Sequence, residues 1–160
     1  MSAYIDGANL FHSGESIGIR IDYQKLKSKI KSDRTLVDLN YYNSIKGKPG
    51  EMSFFDVIEG FGYVLKLIQL HQYGSSTPQE KMVDTQIVAD ALVDGLVDNK
   101  YDVAVFCSGD KDILPAVKYL LQRKKEVEIF SFWETLAWDL RVCGAKIINL
   151  SRIINEIRLI

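Results

Sequence analysis

Tyr101 to Cys107 runs almost without a polar side chain and stops at Ser108-Gly109-Asp110-Lys111-Asp112. An apolar run that short, closed by turn-forming residues, suits a strand buried on both faces. Such a strand needs helices above and below it, which constrains the chain to a layered α/β architecture.

The remaining sequence keeps to that pattern of short apolar runs alternating with amphipathic stretches. Ser2 to Asp6 reads as the first strand. Asp22 is placed to cap a helix that turns Tyr23, Leu26 and Ile30 inward and Lys25, Lys27, Lys29 and Lys31 largely to solvent. Thr35 to Asn43 follows as a strand, Ile45 to Gly50 as a loop, and Ser53 as the cap of a helix carrying Phe54, Phe55, Val57 and Ile58, ended by Gly60 and Gly62. Tyr63 to Leu70 suits a third strand, and Tyr73 to Pro78 is the most loop-like stretch and the expected mobile element. Then come a long helix from Gln79 to Asn99, the Tyr101 strand, and a helix from Ile113 to Lys124 with Pro115 in its first turn. Strand Val127 to Phe132, helix Glu134 to Val142, strand Lys146 to Ile148 and a terminal helix after Ser151 complete the alternation. The expected fold is a three-layer, doubly wound, mostly parallel sheet with helices on both faces. It forms one domain over residues 1–160, with 151–160 as a C-terminal helix.

Composition sets outer limits. With 47% hydrophobic and 26% charged residues in 160, the chain is neither disordered nor collagen-like. No apolar run approaches the roughly 18 residues of a membrane helix, and Asp6 sits where a signal peptide would need an apolar core. A cytoplasmic protein without a membrane partner is expected. Cys107 and Cys143 lack the spacing of a zinc or disulfide framework and read as reduced thiols. A net charge of -1, from 20 basic and 21 acidic residues, provides no global attraction for a polyanion, which would have to be met by a local patch or through metal ions.

Ligands of open parallel sheets bind beyond the carboxyl ends of the strands, where the strand order reverses. Asp6 and Asp110 both stand at such ends. If their strands are neighbours, the two carboxylates repel each other unless a cation intervenes. Asp84 adds to the acidic group, because it interrupts a helical stripe with Ile87, Val88 and Ala91 that should face the sheet. Asp90, six residues later, lies roughly 240° further round an ideal helix and reads as a supporting or structural residue. Each acid has a plainer reading: Asp6-Gly7 as a turn, Asp110 or Asp112 as a helix cap, and Asp84 as a solvated first-turn acid. Three such coincidences at one end of one sheet are harder to accept than a site.

These residues form a recognisable set: Tyr4-Ile5-Asp6-Gly7-Ala8-Asn9-Leu10, Lys81-Met82-Val83-Asp84 with Asp90, and Val105-Phe106-Cys107-Ser108-Gly109-Asp110-Lys111-Asp112 followed by Pro115. The set resembles an NYN domain of the LabA-like group, within the PIN-like nuclease superfamily. The resemblance implies a central strand order 3-2-1-4-5 and metal-dependent, endonucleolytic cleavage of single-stranded RNA. It implies Asp6, Asp84 and Asp110 as ligands for Mg²⁺ or Mn²⁺, with Asp112 completing the acidic cluster and Asn9 orienting Asp6 or bonding a substrate phosphate. In such sites the ions activate water and stabilise developing charge, so no side-chain nucleophile is required. Two positions depart from the family pattern: Ile113 follows Asp112 where an aromatic is usual, and Cys143-Gly144-Ala145-Lys146 replaces a common Ala-Asp pair.

For holding RNA, the densest basic stretch is Lys25, Lys27, Lys29, Lys31 and Arg34, with Lys46 and Lys48 in a loop and Arg123-Lys124-Lys125 elsewhere. Such a run is either a phosphate contact or a solvated helix face. Tyr41, Tyr42 and Tyr73 either stack bases or pack in the core. His12 and His71 are too isolated for a histidine-based site, and Gly14 to Gly18 lacks the spacing of a nucleotide cradle. The apolar C-terminus suits core packing or a homodimer contact. The alternative to an enzyme is a catalytically silent RNA-binding or scaffold module, and a phosphotransfer domain using Asp6 is weaker still.

Overall fold

The computed structural model describes residues 1–69 and 80–160, so the expected mobile stretch at Tyr73 to Pro78, together with His71 and Tyr73, lies outside the described residues. Strands β1 (Ser2–Asp6), β2 (Asp38–Ile45), β3 (Val64–Gln69), β4 (Val103–Cys107), β5 (Glu126–Ser131) and β6 (Lys146–Asn149) form one sheet in the order 3-2-1-4-5-6. Every neighbouring pair is parallel. The expected order 3-2-1-4-5 is present, and β6 extends it by one strand.

Strand alternation sorts the core into two layers. Ala3, Ile5, Leu39, Tyr41, Val105 and Cys107 point to one face. There they meet helices α1 (Gly7–Ser16), α2 (Tyr23–Lys31) and α3 (Glu51–Gly60) through Leu10, Leu26, Ile30 and Phe55. Tyr4, Tyr42, Ala104 and Phe106 point to the other, against α4 (Glu80–Leu92), α5 (Leu114–Gln122) and α6 (Trp138–Arg141). A fully buried Leu, Ile, Val or Phe contributes about 1.5–3 kcal/mol, and both layers contain several. The chain winds over one face between β1 and β3 and over the other between β3 and β6, which puts the reversal between β1 and β4.

Helix α1 is absent from the sequence reading, for a physical reason: its inward side is Gly7, Leu10, Ser13 and Gly14, so small residues rather than apolar ones carry the helical period. A Cβ on Gly7 would stand 2.3 Å from the Tyr41 phenol, so glycine there lets the helix lie close to β2. Helix α3 begins at Glu51, not at a Ser53 cap. Gly50 precedes it with φ 78, and the Glu51 carboxylate accepts from the Lys46 and Gly47 N–H groups at 3.0 and 2.8 Å. The long helix expected from Gln79 to Asn99 gives way after Leu92 to a π-helical turn, Val93–Val97. The Tyr101 hydroxyl donates to the Ala91 carbonyl at 2.6 Å, taking an acceptor that the helical ladder would use, and Gly95 leaves room for the ring.

The helix expected from Glu134 is a short 3₁₀ turn, Trp133–Thr135, followed by the single turn of α6. The C-terminal helix is likewise one turn, α7 (Ile154–Ile157). Leu150 and Ile157 are buried there, and the Leu159 N–H donates to the Arg20 carbonyl at 2.8 Å.

Candidate metal centre

Parallel pairing sets Ile5 beside Cys107, so the residues that follow, Asp6 and Ser108, emerge together at the carboxyl edge of the sheet. Asp6 is 4% exposed and caps α1: one oxygen accepts from the Asn9 N–H at 2.9 Å, and the other accepts from the Ser108 hydroxyl at 3.2 Å. The same hydroxyl accepts from the Asp110 N–H at 3.2 Å. Ser108 therefore ties the end of β1 to the loop after β4. The Asn9 side-chain oxygen makes a second tie, accepting from the Gly109 N–H at 2.9 Å.

Gly109 is required by packing. A Cβ there would stand 2.7 Å from both the Ser131 hydroxyl and the Thr135 carbonyl oxygen. Beyond it Asp110 turns the chain, accepting from the Asp112 N–H at 3.0 Å. Asp84 reaches the same place from early in α4.

Carboxylate oxygens of Asp84, Asp110 and Asp112 all lie within 4.8 Å of one another, with Asp112 exposed and the other two half-buried. Two oxygens on opposite sides of one Mg²⁺ or Ca²⁺ ion stand about 4–5 Å apart. The spacing therefore fits a hard divalent cation, and oxygen donors are what such cations take. Asp6 is outside this group of three, although it lines the same crevice of about 310 Å³ with Asn9, His12, Ser13, Ser44, Val83, Asp84, Asp110 and Thr135. The expected ligand set was Asp6, Asp84 and Asp110; the acids that converge are Asp84, Asp110 and Asp112. Asp6 stands in the crevice beside them, where it also caps α1 and accepts from Ser108.

The sequence profile of the NYN domain matches residues 1–151. The chain belongs to the NYN domain family. It is 25% identical over 165 aligned positions to the low amplitude and bright protein LabA of Synechococcus elongatus, covering 99% of this chain and 85% of LabA. A Vibrio parahaemolyticus protein of unknown function has the same fold, with a TM-score of 0.86 at 19% identity over 99% of this chain and 94% of that one. The acidic crevice of this NYN domain is thus set in a fold shared across nearly its full length.

Other expectations fare differently. Asp90 is structural: it accepts from the buried Tyr42 hydroxyl at 2.8 Å and from Gln86 at 2.6 Å. Tyr41 and Tyr42 are 1% and 0% exposed, so neither can stack a base. Burial, opposed by hydrogen bonds and assisted by the nearby Asp6 charge, pushes the Tyr41 phenol up to about 12, and it stays neutral. The basic stretch is turned to the chain's own acceptors. Lys25 and Lys27 donate to the Arg158 and Phe61 carbonyls, Lys29 pairs with Glu156, and Arg34 pairs with Glu128. Burial likewise pushes the Cys107 thiol up, as suits a core residue.

Sequence reading gave no role to Ser108, which ties the loop after β4, or to the crevice residues Ser13, Ser44 and Thr135, and it set His12 aside. Ser108 lies within the quoted motif. His12 and Ser13 come from the helix hidden by its small residues, and Thr135 comes from a segment with no spacing signal. Thr135 and Ser13 share a hydrogen bond of 2.9 Å, closing the wall of the crevice.

Proposed function

We propose that this NYN domain is a cytoplasmic metal-dependent ribonuclease that hydrolyses phosphodiester bonds of single-stranded RNA, cutting internally. One observation carries the reading: three carboxylates from α4 and the segment after β4 converge, and two of them, Asp84 and Asp110, line the crevice where the winding of the sheet reverses. Like charges so close are costly without a counter-cation. Family membership supports the same reading.

When bound, Mg²⁺ or Mn²⁺ would activate water and neutralise charge on the leaving oxygen. The protein's own groups do the positioning. Asp84, Asp110 and Asp112 hold the ion, and Ser108 and Asn9 fix the loop that presents Asp110. Asp6, beside them, adds negative charge and sets the start of α1. The Ser13 and Thr135 hydroxyls provide polar contacts on the opposite wall.

The test is cleavage of a labelled single-stranded RNA with Mg²⁺ or Mn²⁺. Activity should stop with EDTA and fall at least a hundred-fold in Asp84→Asn and Asp110→Asn, while circular dichroism and melting stay near wild type. Undiminished cleavage in both variants overturns the reading. RNA binding without turnover in any divalent ion would instead leave a silent binding module.

A further inference from the structure

The acids can act only on a strand that something else holds in place, and three of the four lysines of α2, Lys25, Lys27 and Lys29, are engaged by the chain's own acceptors. A second cavity, of about 360 Å³, adjoins the acidic crevice and shares Ala8, His12 and Ser44 with it. Its size falls within the range of small-molecule sites, about 300–1,000 Å³.

Two phenylalanines line this cavity with much of their surface in water, Phe11 at 51% and Phe54 at 39% exposed. Phe54 is nevertheless held firmly. The rings of Tyr23, Tyr41 and Phe55 stand 5.9, 6.4 and 5.8 Å from it. Phe11 packs edge-on against His12 at 5.4 Å. Lys46 and Lys48, on an exposed loop, line the same cavity, and Asn43 contributes a side-chain amide. The Asn43 oxygen accepts from the Ser44 N–H at 2.8 Å, which turns its NH₂ group toward the Tyr41 hydroxyl at 3.5 Å, long enough to yield to a better acceptor.

Aromatic faces beside cations, continuous with a crevice for a phosphodiester, match the chemistry of one nucleotide unit. We propose that this cavity is a base-binding subsite. It takes one unpaired base of the RNA against Phe11 and Phe54, while Lys48 meets the adjoining phosphate. A base inside a duplex is stacked and paired and cannot enter, so the subsite restricts cleavage to single strands. The proposal rests on the ribonuclease reading of the neighbouring crevice.

The experiment uses a labelled RNA hexamer and versions with a single abasic position moved along it. Binding is read by fluorescence anisotropy in the Asp110→Asn protein, and cleavage is read in the otherwise wild-type chain. One abasic position should weaken binding about ten-fold, and Phe11→Ala and Phe54→Leu should each abolish that discrimination. Phe11 is a surface residue and Phe54→Leu keeps an apolar side chain in the aromatic cluster; if the second fails to fold, the first decides. Equal binding at every abasic position, discrimination that survives in Phe11→Ala, or no RNA binding overturns the proposal. Cleavage without discrimination removes the subsite and leaves the nuclease. Discrimination without cleavage keeps the subsite and removes the nuclease.

Discussion

Asp6 has two duties that substitution separates. As the cap of α1 it accepts from the Asn9 N–H, and asparagine performs that duty about as well as aspartate. Asp6→Asn is therefore expected to keep the α1 cap while cleaving RNA at least ten-fold more slowly, because the charge and the acceptor for the Ser108 hydroxyl are lost. Asp6→Ala removes the cap as well and should cost about 0.5–2 kcal/mol in chemical denaturation. Equal activity of wild type and Asp6→Asn would reduce Asp6 to a structural residue. Gly109→Ala tests the other side of the crevice. Its Cβ would meet the Thr135 carbonyl, a backbone atom that cannot swing aside, so a loss of about 1–3 kcal/mol is expected together with lost cleavage. At this scale the acids were legible because a carboxylate at a strand end, or on an inward helical stripe, conflicts with its surroundings. Ser13, Ser44 and Thr135 were not, since a single hydroxyl on an element creates no such conflict.

Elements are held in register by buried polar ties as well as apolar packing. Tyr4 and Tyr42, on neighbouring central strands, donate to Asp94 and Asp90 at 3.0 and 2.8 Å and so fasten α4 and the turn after it to the sheet. On the opposite face Glu128 of β5 is 4% exposed and bonds Arg34 at 2.9 Å and Lys146 at 3.0 Å, joining β5 to β6 and to the segment after α2. Burial works against its charged form, but the two cations outweigh it and hold the carboxyl below the usual glutamate value. A carboxyl lowered in the folded state stabilises fully above its unfolded pKa, and loses that contribution as pH falls through the folded one. Glu128→Gln should therefore cost about 1–3 kcal/mol near neutral pH. In strongly acidic solution the urea midpoints of the two proteins should coincide; a constant gap at all pH values would refute the charge argument. The acidic end of β4 could be read from its apolar run, whereas the strand order followed from the family resemblance and not from any run. Element lengths could not be read, because the helix ends are set by contacts such as the Tyr101 hydroxyl on Ala91, which join distant segments.

For the molecule as a whole, a cation bound only by the folded state must raise its stability. Mn²⁺ at a hundred times its dissociation constant adds about 2.7 kcal/mol, which for a chain of this size is about 5–10 °C in melting temperature. The shift should vanish in Asp84→Asn and Asp110→Asn, and its absence from the wild type would argue against ion binding at the triad. Among the described residues no helix is long and apolar enough to cross a membrane. The crevice draws on Asp6 from β1, Asp84 from α4 and Asp110 from beyond β4; the pairing of β1 with β4 brings the first and last together, and the packing of α4 on the sheet adds the second. During synthesis the first half of the chain therefore emerges with its acid already made but with nothing to act in concert with it. The acidic centre is assembled only once the loop after β4 has been made and the two central strands have paired.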